Sequence, residues 1–257
     1  KGLYTAYTGM LNEQNRMDIM TNNLANASTV GYKKEGSTSQ SFDDVLTVKI
    51  KDQSVGMRNA QKIGIKNPGV KIGENYTDYS QGSFRITGNT YDLALSGEGF
   101  FAIEFTNKAG ETDTKYTRAG QFTLNKDGYL VTEEGDYVLD TQNRRIRLNT
   151  LIDSSITDDG TIYQNGQAMA KIQVTDFADY DYLEKYGETY YQPIQGAQTI
   201  ASNAQVKSGY LEMANVQIVS EMVNLISITR AYESNQKVVQ TIDDTLDVAV
   251  NQIGRVQ

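Results

Sequence analysis

Residues 215–256 read NVQIVSEMVNLISITRAYESNQKVVQTIDDTLDVAVNQIGRV, and the spacing of their apolar side chains decides the fold. Ile218, Met222, Leu225, Thr229, Tyr232, Gln236 and Val239 alternate by four and three residues, the a/d repeat of a coiled coil. After a three-residue phase shift, Ile242, Leu246, Ala249 and Ile253 resume the pattern; such a shift overwinds a coiled coil locally without ending it. Val216, Val219, Val223 and Ile226 add a second apolar row on an adjacent face. Asn215 is a candidate N-cap, and no Pro or Gly interrupts the stretch before Gly254.

The opening segment has the same grammar. Leu3, Tyr7, Met10, Gln14, Met17, Thr21 and Leu24 follow the same alternation, and the pattern runs out at Asn22-Asn23-Leu24-Ala25-Asn26-Ala27-Ser28-Thr29, where Asn and Ser compete for backbone hydrogen bonds. Gly31 is a candidate helix-terminating or turn residue. At 1.5 Å per residue the closing helix is roughly 63 Å long and the first roughly 37 Å. A compact middle of about 135–150 residues is only about 38 Å across. The closing helix must therefore project, and the shorter first helix covers only part of its apolar surface. The residual stripe calls for other chains, with an assembly seam of Leu3, Tyr7, Met10, Met17, Leu24, Ile218, Met222, Leu225, Ile226, Tyr232, Val239 and Leu246.

Between the helices the grammar changes. Phe100-Phe101-Ala102-Ile103-Glu104-Phe105 reads as a strand. Tyr116–Arg118, Gln121–Leu124, Tyr129–Val131 and Tyr137–Leu139 are further short strands separated by turns at Asn107–Gly110, Asn125–Gly128 and Glu134–Gly135. Asn165-Gly166, between Ile162–Gln164 and Gln167–Met169, is the strongest hairpin signal, because both residues tolerate the positive φ of a type I′ turn. The predicted fold is a mainly β, antiparallel central domain (a sandwich or open barrel) plus N- and C-terminal α-helices forming a coiled-coil-like stalk. Its parts are an N-terminal helix over 1–32, a flexible linker or extended segment over 33–75, a β-rich outer domain over 76–210, and a C-terminal helix over 211–257. The run from Lys33 to Ser41 is too polar to fix itself by burial; Phe42, Val45 and Leu46 follow at helical spacing as a possible short anchor.

Composition narrows the function. The 257 residues carry a formal net charge of -8 and contain no His, Cys or Trp and two Pro, Pro68 and Pro193. Disulfides, Cys-based metal sites and thiol nucleophiles are excluded, together with the commonest general base and transition-metal ligand. The acidic balance argues against nucleic-acid binding through phosphates. No run reaches the 18 apolar residues of a membrane span, and Lys1-Gly2-Leu3-Tyr4 opens no charged-then-apolar leader, so neither membrane insertion nor a cleaved signal peptide is expected. Asn125-Lys126-Asp127-Gly128 and Asp158-Asp159-Gly160 resemble fragments of calcium loops, but a full loop needs more oxygen ligands, and hairpin turns are the simpler reading. Asp176, Asp179, Asp181 and Glu184 interleave with Phe177, Tyr180, Tyr182, Tyr186, Tyr190 and Tyr191; paired carboxylates beside aromatics could serve a glycan-binding or glycan-cleaving module, against the plainer reading of an acidic surface loop. Arg230, Glu233 and Lys237 sit at helical ion-pair spacing.

Several motifs carry a resemblance. Asn22-Asn23-Leu24-Ala25-Asn26 with Thr29-Val30-Gly31-Tyr32-Lys33 resembles the N-terminal signature of the bacterial flagellar axial proteins, rod and hook. Ser96-Gly97-Glu98-Gly99-Phe100-Phe101, Tyr116-Thr117-Arg118-Ala119-Gly120-Gln121-Phe122 and Gly128-Tyr129-Leu130-Val131 resemble their central motif. Gly209-Tyr210-Leu211-Glu212-Met213-Ala214-Asn215-Val216, Glu221-Met222-Val223 and Arg230-Ala231-Tyr232-Glu233 resemble their C-terminal motif. Tyr32 stands where Phe is usual and Ala214 where Ser is common. The length suits the rod proteins and leaves no room for the added outer domains of hook proteins, with the distal rod subunit favoured over the proximal one or a short hook-type subunit. The resemblance implies a non-enzymatic, torque-transmitting subunit without catalytic residues, cofactor or metal. Its partners would be further copies, other rod and hook proteins and the flagellar export apparatus. Its location would be the basal body, reached by type III export without a cleaved leader. The motif positions it marks are Asn22, Asn23, Asn26, Gly31, Gly97, Gly99, Phe100, Phe101, Arg118, Gly120, Leu211, Glu212, Asn215, Arg230, Tyr232 and Glu233.

Overall fold

A computed structural model describes residues 2–49, 61–107 and 110–253. An N-terminal helix, a central antiparallel β region and a C-terminal helix follow one another, and the chain divides into two compact units, both discontinuous in sequence.

The helical unit comprises Lys1–Leu24, Glu35–Asp78 and Ile218–Gln257. Helix α1 spans Gly2–Ala25 and α2 spans Ile218–Ile253. They run antiparallel: a Cβ added at Gly2 would lie 3.5 Å from Ile242 Cδ1, and one added at Gly9 would lie 3.0 Å from Asn235 Nδ2. The face that α1 buries is Ala6, Thr8, Asn12, Ile19 and Asn23, three of the five polar. Those polar groups are matched. Thr8 donates to the Thr5 carbonyl at 3.0 Å, Ser39 Oγ donates to Asn12 Oδ1 at 3.1 Å, and Asn23 exchanges two bonds with the Glu35 backbone at 2.8 and 2.9 Å.

Residues 33–75, expected as a linker or extended segment, contain two antiparallel ribbons. Glu35–Ser41 pairs with Val70–Thr77, and Val45–Lys49 pairs with Gln61–Lys66. The helical anchor expected at Val45 and Leu46 is therefore a strand, in keeping with the β-branched Val45, Thr47 and Val48. A polar segment can be ordered when a backbone ladder, rather than apolar burial, satisfies its peptide groups. The helices are also shorter than the sequence pattern allows. Helix α1 stops at Ala25, not near residue 32, where Asn26–Ser28 form a turn, and α2 starts at Ile218, not Asn215.

The β unit comprises Ala25–Lys34 and Tyr79–Gln217. Its main sheet runs Leu183–Tyr186, Tyr190–Pro193, Thr112–Thr117, Phe100–Thr106, Tyr137–Val138, Leu130–Thr132 and Phe122–Leu124, with Val174–Phe177 joining Phe100–Thr106 to Thr199–Ala201. Every pairing is antiparallel. Phe100–Thr106 is the hub. Side chains alternate across a strand, and here both faces are covered. Phe101 enters one core with Leu93, Leu95, Phe122, Leu130, Val138, Ile146, Leu148, Ile162 and Val206, while Phe100 and Ala102 enter a second with Tyr116, Leu139, Phe177, Leu183 and Tyr191. A strand buried on both faces reads as an unbroken apolar run, which is what Phe100–Ile103 shows.

Smaller pairs complete the unit: Leu93–Ser96 with Gln205–Ser208, Phe84–Ile86 with Tyr210–Glu212, and a three-stranded sheet of Ser154–Ile156, Thr161–Gln164 and Gln167–Lys171. Asn165 and Gly166 take φ of 50° and 75° at the hairpin tip, as the Asn-Gly signal predicted.

Candidate functional site

Three segments far apart in sequence meet in the interior of the β unit. Gly209–Asn215 brings Glu212, which is completely buried. Residues 25–34 bring Lys33, and the turn after Thr112–Thr117 brings Arg118; these two are 1% and 3% exposed. Lys33 Nζ lies 2.7 Å from Glu212 Oε1 and Arg118 Nη1 lies 3.3 Å from Glu212 Oε2. The Gly82 N–H donates to Glu212 Oε1 at 2.9 Å, and Lys33 also donates to the Ser80 carbonyl at 2.7 Å. A buried carboxylate tolerates its desolvation only when opposite charge and hydrogen bonds surround it, and both kinds of partner are present. The Arg118 guanidinium also stands 5.3 Å from the centre of the Phe100 ring.

The backbone around this centre is drawn together. The Gly31 N–H donates to the Glu212 carbonyl at 2.8 Å, and Val30 bridges Met213. Gly31 has φ of 70°, and a Cβ there would fall 2.2 Å from the Ala119 backbone nitrogen; only glycine fits. The Asn215 side chain accepts from the Lys34 N–H at 2.7 Å and donates to the carbonyl and hydroxyl oxygens of Ser80 at 3.1 and 3.0 Å. It ties two segments together, so the expected N-cap role is corrected: α2 begins three residues later.

A second polar knot lies nearby in chemistry but is built differently. The Tyr190 hydroxyl is 3.0 Å from Glu134 Oε2 and 2.9 Å from Asp136 Oδ2. Burial, and then the neighbouring carboxylates, push the Tyr190 hydroxyl pKa up even though a bond from Thr132 opposes the shift. Burial likewise pushes the Asp136 carboxyl up, more than its bonds to Tyr190 and the Thr106 backbone pull it down.

The remaining sequence-predicted positions divide clearly. Phe100, Phe101, Arg118, Leu211 and Glu212 are interior, as are Asn23 and Asn26; Asn26 accepts bonds from the Thr29 hydroxyl and N–H. Gly97 and Gly99 have φ of 120° and 134°, and Gly120 lies against the Leu93 carbonyl. Tyr32 is buried with Lys185 Nζ 4.3 Å from its ring centre, so the phenol keeps the ring's packing place. On the helices, Leu3, Tyr7, Ile218, Met222, Ile226 and Leu246 are exposed, whereas Met10, Met17, Leu24, Leu225, Tyr232 and Val239 are half-buried. Asn22, Arg230 and Glu233 are exposed, and among the described residues no ion pair joins Arg230, Glu233 and Lys237, against expectation.

The chemistry weighed for the Asp- and Tyr-rich stretch takes another form. Asp176 is buried and accepts from the Tyr180 hydroxyl at 2.7 Å and from the Phe177 N–H. Asp179 caps the short 3-10 turn Tyr180–Tyr182. Phe177 and Tyr191 fill the second core, with Tyr180 packed against it. At Asn125–Gly128 the Asn125 side chain accepts from the Asp127 and Tyr129 N–H groups, the bonding of a turn. Among the described residues no group of three carboxylates is placed to hold a metal ion, and no helix is long and apolar enough to cross a membrane. Sequence reasoning missed Lys33, which it placed in the polar linker, and Ser80 and Gly82, which bear no pattern. A lysine inside a polar run gives no sign that it will be buried.

Comparison with known proteins resolves what this constellation belongs to. The family model described as flagella basal body rod protein matches residues 3–33, the flagellar hook protein FlgE/F/G D1 domain matches 94–166, and the flagellar basal body rod FlgEFG protein C-terminal model matches 207–253. The flagellar basal-body rod protein FlgG of Bacillus subtilis (strain 168) is 34% identical over 270 residues, covering 98% of each chain. The chain belongs to the flagellar basal-body rod protein family. FlgG of Agrobacterium fabrum (strain C58) is 32% identical, covering 96% of this rod protein and 97% of the relative, and FlgF of Caulobacter vibrioides is 30% identical, covering 99% and 98%. This rod protein is a non-enzymatic structural component of the flagellar basal body and associates there with other flagellar components. Each of the three matched regions contributes one charge to the buried centre: Lys33 from the first, Arg118 from the second and Glu212 from the third.

Proposed function

We propose that this protein is the distal rod subunit, that it polymerises through α1 and α2, and that torque passes through the resulting helix seams. The exposure of aliphatic side chains on the first half of α2 carries this reading. Val219, Val223 and Ile226 are 77%, 61% and 53% exposed, and Ile218 and Met222 lie beside them. Such a row in water favours a protein partner, and the seam Leu3, Tyr7, Met10, Met17, Leu24, Ile218, Met222, Leu225, Ile226, Tyr232, Val239 and Leu246 supplies a coiled-coil-like stalk once neighbouring copies cover it. The parts of this reading are an axial helix over 1–32, an extended segment over 33–75 placed between subunits, an outer domain over 76–210 and an axial helix over 211–257. Distal is favoured over proximal or short hook-type because relatives named FlgG reach 34%, 33% and 32% identity, against 30% and 29% for those named FlgF, although two further FlgG relatives also stand at 30%. Delivery by the flagellar export apparatus belongs to the same reading.

The test is Ile226→Asp or Leu225→Asp in the full chain. A charge placed in a seam that becomes buried is strongly destabilising, so no rod should assemble and cells should not swim, while the purified variant keeps a folded β unit by amide exchange. Normal motility with assembled rods would sink the proposal. Imaging of purified basal bodies with the subunit tagged separates distal from proximal.

A further inference from the structure

We propose that Glu134, Tyr190 and Asp136 share one bound proton, and that this proton latches the turn 133–136 to the start of strand Tyr190–Pro193, so that the turn comes loose as pH rises. The inference concerns the β unit alone and does not rest on the assembly reading.

A phenol carries a single hydrogen to donate. The Tyr190 hydroxyl is 2.9 Å from Asp136 Oδ2, 3.0 Å from Glu134 Oε2 and 3.3 Å from Thr132 Oγ1. The Thr132 oxygen accepts from the Asp136 N–H at 3.2 Å, which leaves its own hydrogen for the phenol oxygen. Tyr190 can then satisfy one carboxylate. The second, if ionised, sets a bare lone pair against the phenol oxygen at hydrogen-bond distance. Tyr190 and Thr132 are 8% and 5% exposed, so water screens that repulsion poorly. One added proton turns every one of these contacts into a donor–acceptor pair. Asp136, half-buried, is its natural holder, and burial pushes that carboxyl up. Glu134 is exposed and is the arm that swings into water when the proton leaves.

No cation takes the proton's place. The charged groups around the knot are Glu133 on the turn itself, Arg85 in the wall of the cavity that Glu134 and Tyr190 also line, and Lys115. Lys115 Nζ is turned to Gln192 Oε1 at 2.8 Å and to the Tyr186 ring, 3.6 Å from its centre. Strand Phe100–Thr106 presents the uncharged Phe105 ring to Tyr190 and Tyr186, while Glu104 binds Arg145. Among the described residues, neither Arg85 nor Lys115 forms an ion pair with Glu134 or Asp136.

The contact is also placed to act as a clasp. Strands Thr112–Thr117 and Phe100–Thr106 stand between Tyr190–Pro193 and Tyr137–Val138 in the sheet, so no ladder joins Tyr190 to the turn, and the side chains alone do. Within itself the turn is closed by the Thr132 N–H on the Asp136 carbonyl at 2.8 Å and the Gly135 N–H on the Thr132 carbonyl at 3.1 Å. A proton bound more tightly by the folded form stabilises below the unfolded carboxyl pKa, and that stabilisation is lost as pH rises through the folded value. Here the loss falls on one turn, a local opening below global unfolding.

Carboxyl-carbon NMR and hydrogen exchange on the full-length protein test this, with Glu134→Gln as the variant. In the parent, the Glu134 and Asp136 resonances should share an upper titration step at least about one pH unit above the ordinary carboxylate values near 4. In Glu134→Gln the phenol hydrogen suffices for the one remaining carboxylate, so the Asp136 step should fall by at least about one unit. Across the upper step, exchange at the Gly135 amide relative to the Leu139 amide, which is bonded to the Ala102 carbonyl, should rise about tenfold in the parent and stay level in the variant. Independent steps in the ordinary range overturn the proposal. An Asp136 step that stays up in Glu134→Gln also overturns it, because burial alone would then hold the proton. So does a constant Gly135-to-Leu139 ratio in the parent, or a Glu134→Gln chain that fails to fold, since an amide mimics the protonated acid.

Discussion

In the β unit three charged side chains are at most 3% exposed, whereas in the helical unit Val219 and Val223, both aliphatic, are mostly in water. Each inverts the ordinary preference for charges outside and aliphatics inside. The inversions have opposite meanings. Buried charge is tolerable only with its counter-charge and hydrogen bonds on hand, and Lys33, Arg118, Gly82 and Ser80 supply them within the chain. Exposed aliphatic surface has no such internal remedy on α2. Substitutions should therefore separate the units: lesions in the β unit act on folding, and lesions on the α2 row act on association.

The largest effect should come from Glu212→Gln, which removes the buried carboxylate that faces Lys33 and Arg118. It should cost about 3–5 kcal/mol, enough to lose most of a domain's stability, and urea unfolding of the β unit reads it. A loss below about 1 kcal/mol would mean that the centre behaves as a solvated pair and would break the comparison. Next comes Gly166→Ala at the hairpin tip, where a left-handed φ of 75° makes a side chain cost about 1–2 kcal/mol; thermal unfolding should shift downward with no change in association.

Val223→Ser sharpens the contrast from the other side. It should move monomer stability by no more than about 0.5 kcal/mol and yet impair assembly, measured by sedimentation at rising concentration. If it unfolds the isolated chain, the row is internal packing and the contrast fails.

The smallest effect concerns pH. Burial raises the Asp136 carboxyl in the folded state, so the folded form binds its proton more tightly than the unfolded form does. That contribution is fully present below the unfolded carboxylate pKa and is lost as pH rises through the folded value. Asp136→Asn should flatten this part of the stability–pH curve at the acidic end, and an unaltered slope would show that the Tyr190 hydroxyl alone balances the charge.

How much of this was legible in advance follows the range of each interaction. Short-range signals read well: the Asn165-Gly166 turn, the strand Phe100–Thr106 and both helices stand close to where period and turn chemistry put them. Signals that depend on a distant partner did not. Val45 and Leu46 have helical spacing but lie in a strand, because Gln61–Lys66 is there to pair with them. Asn215 has the chemistry of a cap but is held by Ser80 and Lys34.

The amino-acid sequence by itself determined the order of elements, the apolar rows of the helices, the absence of thiol and imidazole chemistry, and the motifs that mark the family. These depend on residue type and on spacings of two to four positions, which a linear reading retains. The tertiary structure alone decided that Lys33 is interior, that Glu212 receives two cations, and that α1 buries Ala6, Asn12 and Ile19 and leaves Leu3 and Tyr7 exposed. Those outcomes turn on desolvation and counter-charge between residues as far apart as 33 and 212, and a charge in a sequence does not reveal whether its partner will arrive.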